Sequence, residues 1–438
     1  MARSMSQSDG RVRHRQPPQI PGSGFLMRVL FVLEQPEILQ ALQQPEGVNP
    51  GFGGTSFTTV RLVLALAQDQ PGAASTLQLS IGAANPPVAA FHGIPVVDLT
   101  NTTNQHWDVA VVTGGSLDAL HSGQLRLRST RLLAWIRHPY DWDKTRKAKA
   151  LKAELVSVGK AQYLSNALIA GWHHHIDNLF CAERIRRAAG WSGDHPTPPL
   201  QRRQLRIGFM GALVPSKGFH QLAQHWPAIC TSLRELGVEP QLEVIGGASL
   251  YHFGEGHPRL PCAQDYGNSL ERCLGTELGR SVRFHGTLGP ERYRLMASCD
   301  LAVVNPSGQG EAFPATILEW LALGVPVISS QRYGCGDAMR YLLTLQIGNS
   351  GQIQQRIQGY LLQPLDEQHI LRDHCLRIAE LFSAQQPLIV SQWRLLLQQP
   401  TPRVKVNEHL NGRIYLLLLR EWLVMSLQSL RKRLRPRG

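Results

Sequence analysis

The stretch GEAFPATILEWLALGVPVISS, from Gly310 to Ser330, joins a glycine-bounded loop, a helix start and a strand. Proline is tolerated at the start of a helix but not in its interior, so the helix is predicted to begin near Ala315 or Thr316. The run Val325–Ile328 that follows has the continuous apolar character of a strand buried on both faces. This order of elements predicts part of a parallel α/β sheet.

The same alternation of short apolar strands with helices extends through both halves of the chain. A proline-rich segment, HPTPPLQRRQ (His195–Gln204), separates the halves. The sequence therefore predicts an α/β protein with two tandem Rossmann-like domains facing a central cleft, followed by C-terminal helices. The predicted strands are Val29–Leu33, Leu77–Ile81, Trp107–Val112, Arg131–Ile136, Leu205–Gly211, Leu242–Gly247, Val282–Gly286 and Leu301–Asn305.

These patterns set the predicted domain boundaries. We expect a disordered basic tail over 1–25, a first domain over 26–195, a linker over 196–204 and a second domain over 205–398. A basic helical extension is expected over 399–438. The N-terminal tail has no apolar core segment, so no secretory signal is expected. No window reaches the ~18 uncharged apolar residues of a membrane span.

Composition narrows the classes of function. The 438-residue chain has a formal net charge of +13, which suits an anionic partner such as a nucleotide, a membrane surface or a nucleic acid. A nucleic-acid partner is not expected, because no basic motif interleaved with aromatic residues is found. The seven cysteines form no CxxC pair, so a reducing cytoplasm fits best. The sequence says nothing about oligomeric state.

Two acids lie on either side of the predicted helix start. Glu311 precedes it and Glu319 lies inside the helix. The free N–H groups of a first helical turn bind phosphate or diphosphate, and a carboxylate can accept hydrogen bonds from two vicinal hydroxyls. A nucleotide sugar has this layout of sugar hydroxyls, diphosphate and ribose hydroxyls. Two solvated surface acids are the alternative interpretation of the spacing.

A positive counterpart is predicted in the loop GALVPSKGF (Gly211–Phe219), which follows a strand directly. Lys217 in this loop could neutralise a diphosphate leaving group without a metal ion. A lysine considered alone is more often a surface charge, so this hypothesis depends on its pairing with the two acids.

The second half of the chain resembles the donor-binding domain of retaining GT-B glycosyltransferases of family 4, also called group 1. The resemblance covers about residues 205–330. It rests on GALVPSKG and on VRFHGTLGPERYRLMASCDLAVVNPSGQGEAFPATILEWLALGVPVISS, in which Glu311 and Glu319 match the family's pair of glutamates separated by seven residues. The first domain resembles the family only weakly.

The resemblance implies roles for individual residues. Glu311 would contact hydroxyls of the donor sugar, Glu319 the ribose and Lys217 the diphosphate. Where the family usually has arginine after the glycine of this loop, the chain has Ala212. That diphosphate contact is therefore missing or is supplied elsewhere, for example by Arg206 or Arg332. The other predicted donor-binding residues are Gly211, Asn305, Ser307, Ala312, Phe313, Pro314, Ala315 and Thr316.

The first domain contributes fewer candidates. In NPGFGGTS (Asn49–Ser56), Gly53 and Gly54 permit close backbone approach, and the loop with Thr55 resembles the family's first-domain phosphate and acceptor loop. An ordinary glycine-rich turn is the alternative. Family members often carry a cleft histidine at a comparable strand end, so the resemblance makes His138 a candidate catalytic residue that contacts the transferred sugar. An ordinary loop histidine is the alternative. No metal site is expected, because the triplet His173–His175 lacks the i, i+4 spacing of helical ligands.

Two basic segments bear on the kind of acceptor that the protein uses. DKTRKAKALK (Asp143–Lys152) and the terminal RKRLRPRG suit a solvated helix surface, an anionic membrane or a phosphorylated acceptor. Relatives often act on lipid-linked or surface polysaccharide acceptors at the cytoplasmic membrane face. The prediction is a cytoplasmic hexosyltransferase, peripheral to the membrane, that uses a nucleotide sugar and no cofactor. The alternatives are a catalytically degenerate GT-B binding protein or another GT-B enzyme, such as a sugar-nucleotide epimerase.

Overall fold

A computed structural model describes most of the chain. The predicted tail, His138 and residues 400–438 of the predicted extension lie outside the described residues. The described residues are 26–42, 44, 47–69, 77–100, 105–137, 142–167, 173–193, 199–248 and 256–399.

The first half forms a sheet in the order β3-β4-β2-β1-β5-β6-β7-β8. All described neighbours in it are parallel except β3 and β4, which pair antiparallel at one edge. The strands are β1 (Met27–Val32), β2 (Leu77–Ala83), β3 (Ala90–Phe91), β4 (Ile94–Asp98), β5 (His106–Val112), β6 (Arg128–Ile136), β7 (Glu154–Ser157) and β8 (His173–His175).

The second half forms a parallel sheet in the order β11-β10-β9-β12-β13-β14. The central strands β9 and β12 carry fully buried apolar side chains, as expected for strands covered by helices on both faces. The strands are β9 (Gln204–Met210), β10 (Glu239–Ile245), β11 (Val282–Gly286), β12 (Leu301–Val304), β13 (Val327–Ser330) and β14 (Gln346–Ile347).

Helices connect the parallel strands and confirm the α/β prediction. The helix start predicted near Ala315 or Thr316 is found at Ala315, another helix begins at Phe219 directly after the predicted loop, and the linker segment Pro199–Arg202 is a short helix. The helices are α1 (Ile38–Ala41), α2 (Gly54–Gln68), α3 (Gly114–Ser122), α4 (Trp142–Ala150), α5 (Lys160–Ala167), α6 (Ala182–Ala189), α7 (Pro199–Arg202), α8 (Phe219–Glu235), α9 (Gln264–Leu274), α10 (Arg292–Ala297), α11 (Ala315–Ala322), α12 (Tyr333–Ala338), α13 (Gln352–Leu361), α14 (Leu365–Ser383) and α15 (Gln386–Gln398).

The last described helix, α15, returns to the first domain, although the sequence assigned it to the second. Trp393 packs edge-on against Trp135 of β6 at 4.8 Å between ring centroids, and against Phe31 of β1 at 6.3 Å. The assignment differed because helical periodicity shows that a helix has an apolar stripe but not which sheet covers that stripe.

A buried arginine holds the end of α15 on this sheet. Arg131 of β6 donates to the carbonyl oxygens of Leu396 at 3.0 Å and Gln399 at 2.5 Å. It also forms a two-pronged ion pair with Glu154 at 2.8 and 2.9 Å, and both side chains are almost fully buried. Burial alone would raise the pKa of Glu154, but hydrogen bonds from His174 and Arg131 outweigh it and lower that pKa.

Arg131→Met is expected to lower the free energy of unfolding by about 3–5 kcal/mol. The substitution leaves the Glu154 carboxylate buried without its cation and removes donors from the end of α15. Urea denaturation with a linear extrapolation measures the change. The matched control is Arg187→Met, which breaks the exposed pair with Glu183 on α6 and should change stability little. Equal effects of the two variants would contradict a structural role for Arg131.

Candidate functional site: a cleft between the two sheets

The carboxyl ends of β9, β10 and β12 in the second sheet face a cleft with a volume of about 320 Å³, and its other wall is formed by residues 49–58, Arg137 and Asn178 of the first domain. This is the position at which open parallel sheets bind ligands. The cleft brings together most residues that the sequence singled out, from both domains. Those that line it are Gly53, Gly54, Thr55, Gly211, Ala212, Lys217, Asn305, Glu311, Phe313, Pro314, Ala315, Thr316 and Glu319.

Two predicted donor-binding residues lie beside the cleft and do not line it. Ala312 is fully buried, and its carbonyl oxygen packs so closely on Gly159 and Gly334 that a Cβ at either glycine would lie about 2 Å from it. Ser307 is buried beneath the loop, where its hydroxyl donates to the Asn305 side-chain oxygen at 2.7 Å. Both residues support the loop between β12 and α11.

Glycine backbone forms the floor of the cleft at the ends of β9 and β10. Gly246 has φ +134°, in the region that favours glycine, and a Cβ there would lie 2.0 Å from the carbonyl oxygen of Gly211. The two loops are joined by the hydrogen bond from the Gly211 N–H to the Ile245 carbonyl at 3.0 Å. Sequence reasoning included Gly211 but missed Gly246, for which the doubled glycine after β10 was the available signal.

The two helix starts at the cleft present free N–H groups. Helix α11 begins at Ala315 after Pro314, and α2 begins at Gly54 after Gly53, and neither start has a side-chain cap. A Cβ at Gly54 would meet no atom within 4 Å, so the approach to the α2 start is open. Uncapped helix starts carry partial positive charge and bind anions, so two such groups lie in one cleft.

The acid and the lysine that the sequence paired are in direct contact. Lys217 Nζ lies 2.6 Å from Glu311 Oε1, with the two side chains 15% and 12% exposed. Asn305 also donates to Glu311 Oε1 at 3.2 Å, and its side-chain oxygen accepts the Gly308 N–H at 3.1 Å. The Asn305 amide thus holds the loop in shape and orients Glu311 beside Lys217.

The second acid, Glu319, belongs to a different hydrogen-bonded group. The Tyr293 hydroxyl donates to Glu319 Oε1 at 3.1 Å, and the Arg292 guanidinium lies 3.9 Å from the same oxygen. Burial raises the pKa of Glu319, an effect that Arg292 and Tyr293 offset only in part. Arg292 also donates to the Asn49 carbonyl of the first domain at 2.8 Å, so it joins the two walls of the cleft.

A third cation, Arg137, reaches the cleft from the end of β6. It stacks on the Trp135 ring at 4.3 Å and donates to the Asn178 side-chain oxygen. A second nitrogen lies 3.5 Å from the carbonyl of Gly54, at the start of α2. Burial lowers the pKa of Arg137 to about 9, so it remains charged at neutral pH.

The two arginines that the sequence offered in place of the family arginine do not line the cleft. Arg206 lies near the amino end of β9, whereas Ala212 follows its carboxyl end, so Arg206 is on the opposite side of the sheet from the cleft. Arg332 is exposed and precedes α12. The predicted strand Leu205–Gly211 already placed Arg206 at its amino end, away from the ligand side of the sheet, whereas the place of Arg332 was decided by the tertiary structure.

The predicted histidines take no described part in the cleft. His138 lies outside the described residues. His173 is buried in β8, where its Nε2 lies 2.5 Å from the Ser157 hydroxyl, and burial lowers its pKa to about 3. In the part of the chain that the structure describes, no three His, Cys, Asp or Glu side chains are grouped to hold a metal ion.

The second domain is similar to a known protein family. Residues 204–370 match the family model described as glycosyl transferases group 1. The matched residues include Lys217, Glu311 and Glu319 and are similar to this family over less than half of the chain. No curated protein sequence matches the chain.

Solved structures share the whole two-domain architecture and confirm the GT-B fold. HepE (Alr3699) of Anabaena, in complex with UDP-glucose, aligns with a TM-score of 0.56 at 18% identity, over 84% of this chain and 100% of that chain. A structure described as trehalose-6-phosphate from E. coli, bound with UDP-2-fluoro glucose, aligns with a TM-score of 0.57 at 12% identity, over 86% of this chain and 100% of that chain. At these identities the likeness establishes the fold.

Proposed function

We propose that the protein is a glycosyltransferase that moves a sugar from a nucleoside-diphosphate sugar to a hydroxyl acceptor. The observation that carries this proposal is the arrangement of the cleft. Lys217 and two uncapped helix starts suit a diphosphate, and Glu311 and Glu319 suit hydroxyls on either side of it. The group 1 domain at residues 204–370 supports the same assignment, and two structures of the same fold are bound to UDP-sugars.

The cleft supports a division of roles in the reaction. Glu311 would bind hydroxyls of the transferred sugar, Glu319 those of the ribose, and Lys217 the diphosphate. The bond from the anomeric carbon to the diphosphate oxygen breaks, and a bond to the acceptor oxygen forms. The acceptor proton passes to the departing diphosphate oxygen. Negative charge grows on the leaving group, and Lys217 and the helix N–H groups stabilise it without reorganisation.

We propose retention of configuration from the resemblance to the retaining family 4, and the cleft is compatible with it. The carboxylates among the described lining residues are Glu311 and Glu319, and both have assigned hydroxyls to hold. A front-face reaction, in which acceptor and leaving group share one side of the sugar, needs no protein nucleophile. Lys217, Arg137 and the two helix starts can offset part of the diphosphate charge, and we propose a reaction that requires no metal ion. The sugar is proposed to be a hexose, as in family 4.

The acceptor is proposed to be a glycan or lipid-linked hydroxyl, approached from the first domain at the cytoplasmic membrane face. Helix α4 carries exposed Arg146 and Lys149, and Lys144 and Lys147 pair with Asp118 of α3. An exposed cationic helix suits an anionic surface. Among the described helices, none is long and apolar enough to cross a membrane.

Thermal stabilisation by nucleoside diphosphates and nucleotide sugars tests the proposal. A ligand at 100 times its Kd stabilises the folded state by about 2.7 kcal/mol. Selective stabilisation by one base, unchanged by magnesium chelation, is expected, followed by sugar transfer to a hydroxyl acceptor. Tight binding without transfer would indicate a degenerate binding protein, and an altered sugar without acceptor would indicate an epimerase. Absence of any stabilisation would contradict the donor site.

A further inference from the structure

Among the described residues that line the cleft, the charged side chains are paired with one exception. Lys217 contacts Glu311, and Arg292 lies beside Glu319. No carboxylate of the described residues pairs with Arg137, whose contacts are the Asn178 amide, the Gly54 carbonyl and the Trp135 ring. A partly buried guanidinium that faces a cleft with neutral partners alone is suited to an anion that the protein does not itself provide.

Arg137 also retains the donors that such an anion would need. A guanidinium has five N–H donors, and Arg137 uses one on Asn178 and one on the long contact to Gly54. Arg292 differs, because its terminal nitrogens already donate to Asn49, Gly289 and the Tyr293 hydroxyl. Of the two arginines among the described residues that line the cleft, Arg137 therefore keeps more donors for a ligand and has no carboxylate beside it.

The position of Arg137 identifies the chemistry of that ligand. Its contact with the Gly54 carbonyl places it at the start of α2, one of the two helix ends suited to phosphate. Ala212 lines the same cleft from the second domain and supplies no charge. Position 212 thus has no cation, and Arg137 supplies one from the opposite wall of the cleft.

We propose that Arg137 binds the donor diphosphate from the first domain, in the role that an arginine at position 212 would have from the second. This inference rests on the proposed glycosyl transfer. It also links diphosphate binding to closure of the cleft, because Arg137 and Lys217 belong to different domains. The two walls are in contact here through the 2.8 Å hydrogen bond from Arg292 to the Asn49 carbonyl.

Binding of the nucleoside diphosphate selected by the thermal panel, and of its nucleoside, tests the proposal by calorimetry. Arg137→Ala should weaken diphosphate binding by about 10- to 100-fold, the usual range for a hydrogen bond to a charged group, and leave nucleoside binding unchanged. Arg137→Lys should lose less affinity for the nucleoside diphosphate than Arg137→Ala does. The double variant with Arg137→Ala and Ala212→Arg should bind the nucleoside diphosphate at least tenfold more tightly than Arg137→Ala alone. Arg332→Ala, an exposed arginine outside the cleft, is the matched control and should bind as wild type.

The outcomes separate this inference from the function on which it rests. Wild type that binds no nucleoside diphosphate overturns both. If the wild-type protein binds a nucleoside diphosphate and Arg137→Ala binds it equally tightly, only the role of Arg137 is overturned. Equal losses for diphosphate and nucleoside would show a merely structural effect. If Arg137→Ala raises only the KM for a phosphorylated acceptor, Arg137 binds the acceptor, and the proposal is overturned.

Discussion

Glu311→Ala is expected to reduce sugar transfer by about 1,000-fold or more while the protein stays folded. Removing one preorganised polar contact to a transition state typically costs 10²–10³ in kcat, and Glu311 would hold the reacting sugar itself. The variant also leaves Lys217 without its partner at 2.6 Å, so the lysine no longer has a fixed position beside the leaving group. Initial rates with saturating donor measure the loss.

Two further variants make the Glu311 result specific. Glu311→Gln keeps the shape of the side chain and one acceptor oxygen, so it should retain more activity than alanine but less than wild type. Glu235→Ala removes an exposed carboxylate at the end of α8 and should be fully active. Turnover of Glu311→Ala at the wild-type rate would be incompatible with the site described above.

Lys217→Ala is expected to lower kcat/KM by about 10²–10³-fold, with most of the loss in steps that involve the diphosphate. The ammonium group is the cation of the second domain nearest to Glu311, and its removal leaves diphosphate charge to the helix starts and Arg137. Binding of the nucleoside diphosphate should fall by roughly tenfold or more, and binding of the nucleoside should not change. Calorimetry with both ligands measures the difference.

The control for Lys217 is Lys149→Ala, which removes an exposed lysine from α4 and should leave both affinities unchanged. Lys217→Arg retains the charge and should recover part of the activity. Similar losses for the diphosphate and the nucleoside in Lys217→Ala would mean that the lysine does not touch the diphosphate. Its contact with Glu311 would then be purely structural.

Local sequence was sufficient for five strands of the second sheet but not for the short edge strand β14. Apolar runs predicted the strands, and Pro314 predicted a helix that begins at Ala315, because backbone preferences act over a few residues. Glu311 and Glu319 were found for the same reason, since their places relative to that helix start are set by spacing along one segment. The loop with Gly53 and Gly54 was singled out for its glycines alone, and the structure adds that α2 begins at Gly54.

Contacts across the chain were decided only by the tertiary structure. Lys217 and Glu311 are 94 residues apart, and their direct contact depends on how β9 and β12 pair in the sheet. Arg292 reaches Asn49 across 243 residues, and α15 packs on the first sheet through Trp393. Arg137 became a candidate in place of Arg206 and Arg332 once the cleft was seen. Periodicity and spacing describe which face of an element is apolar or charged, but the partner of that face depends on the packing of distant elements.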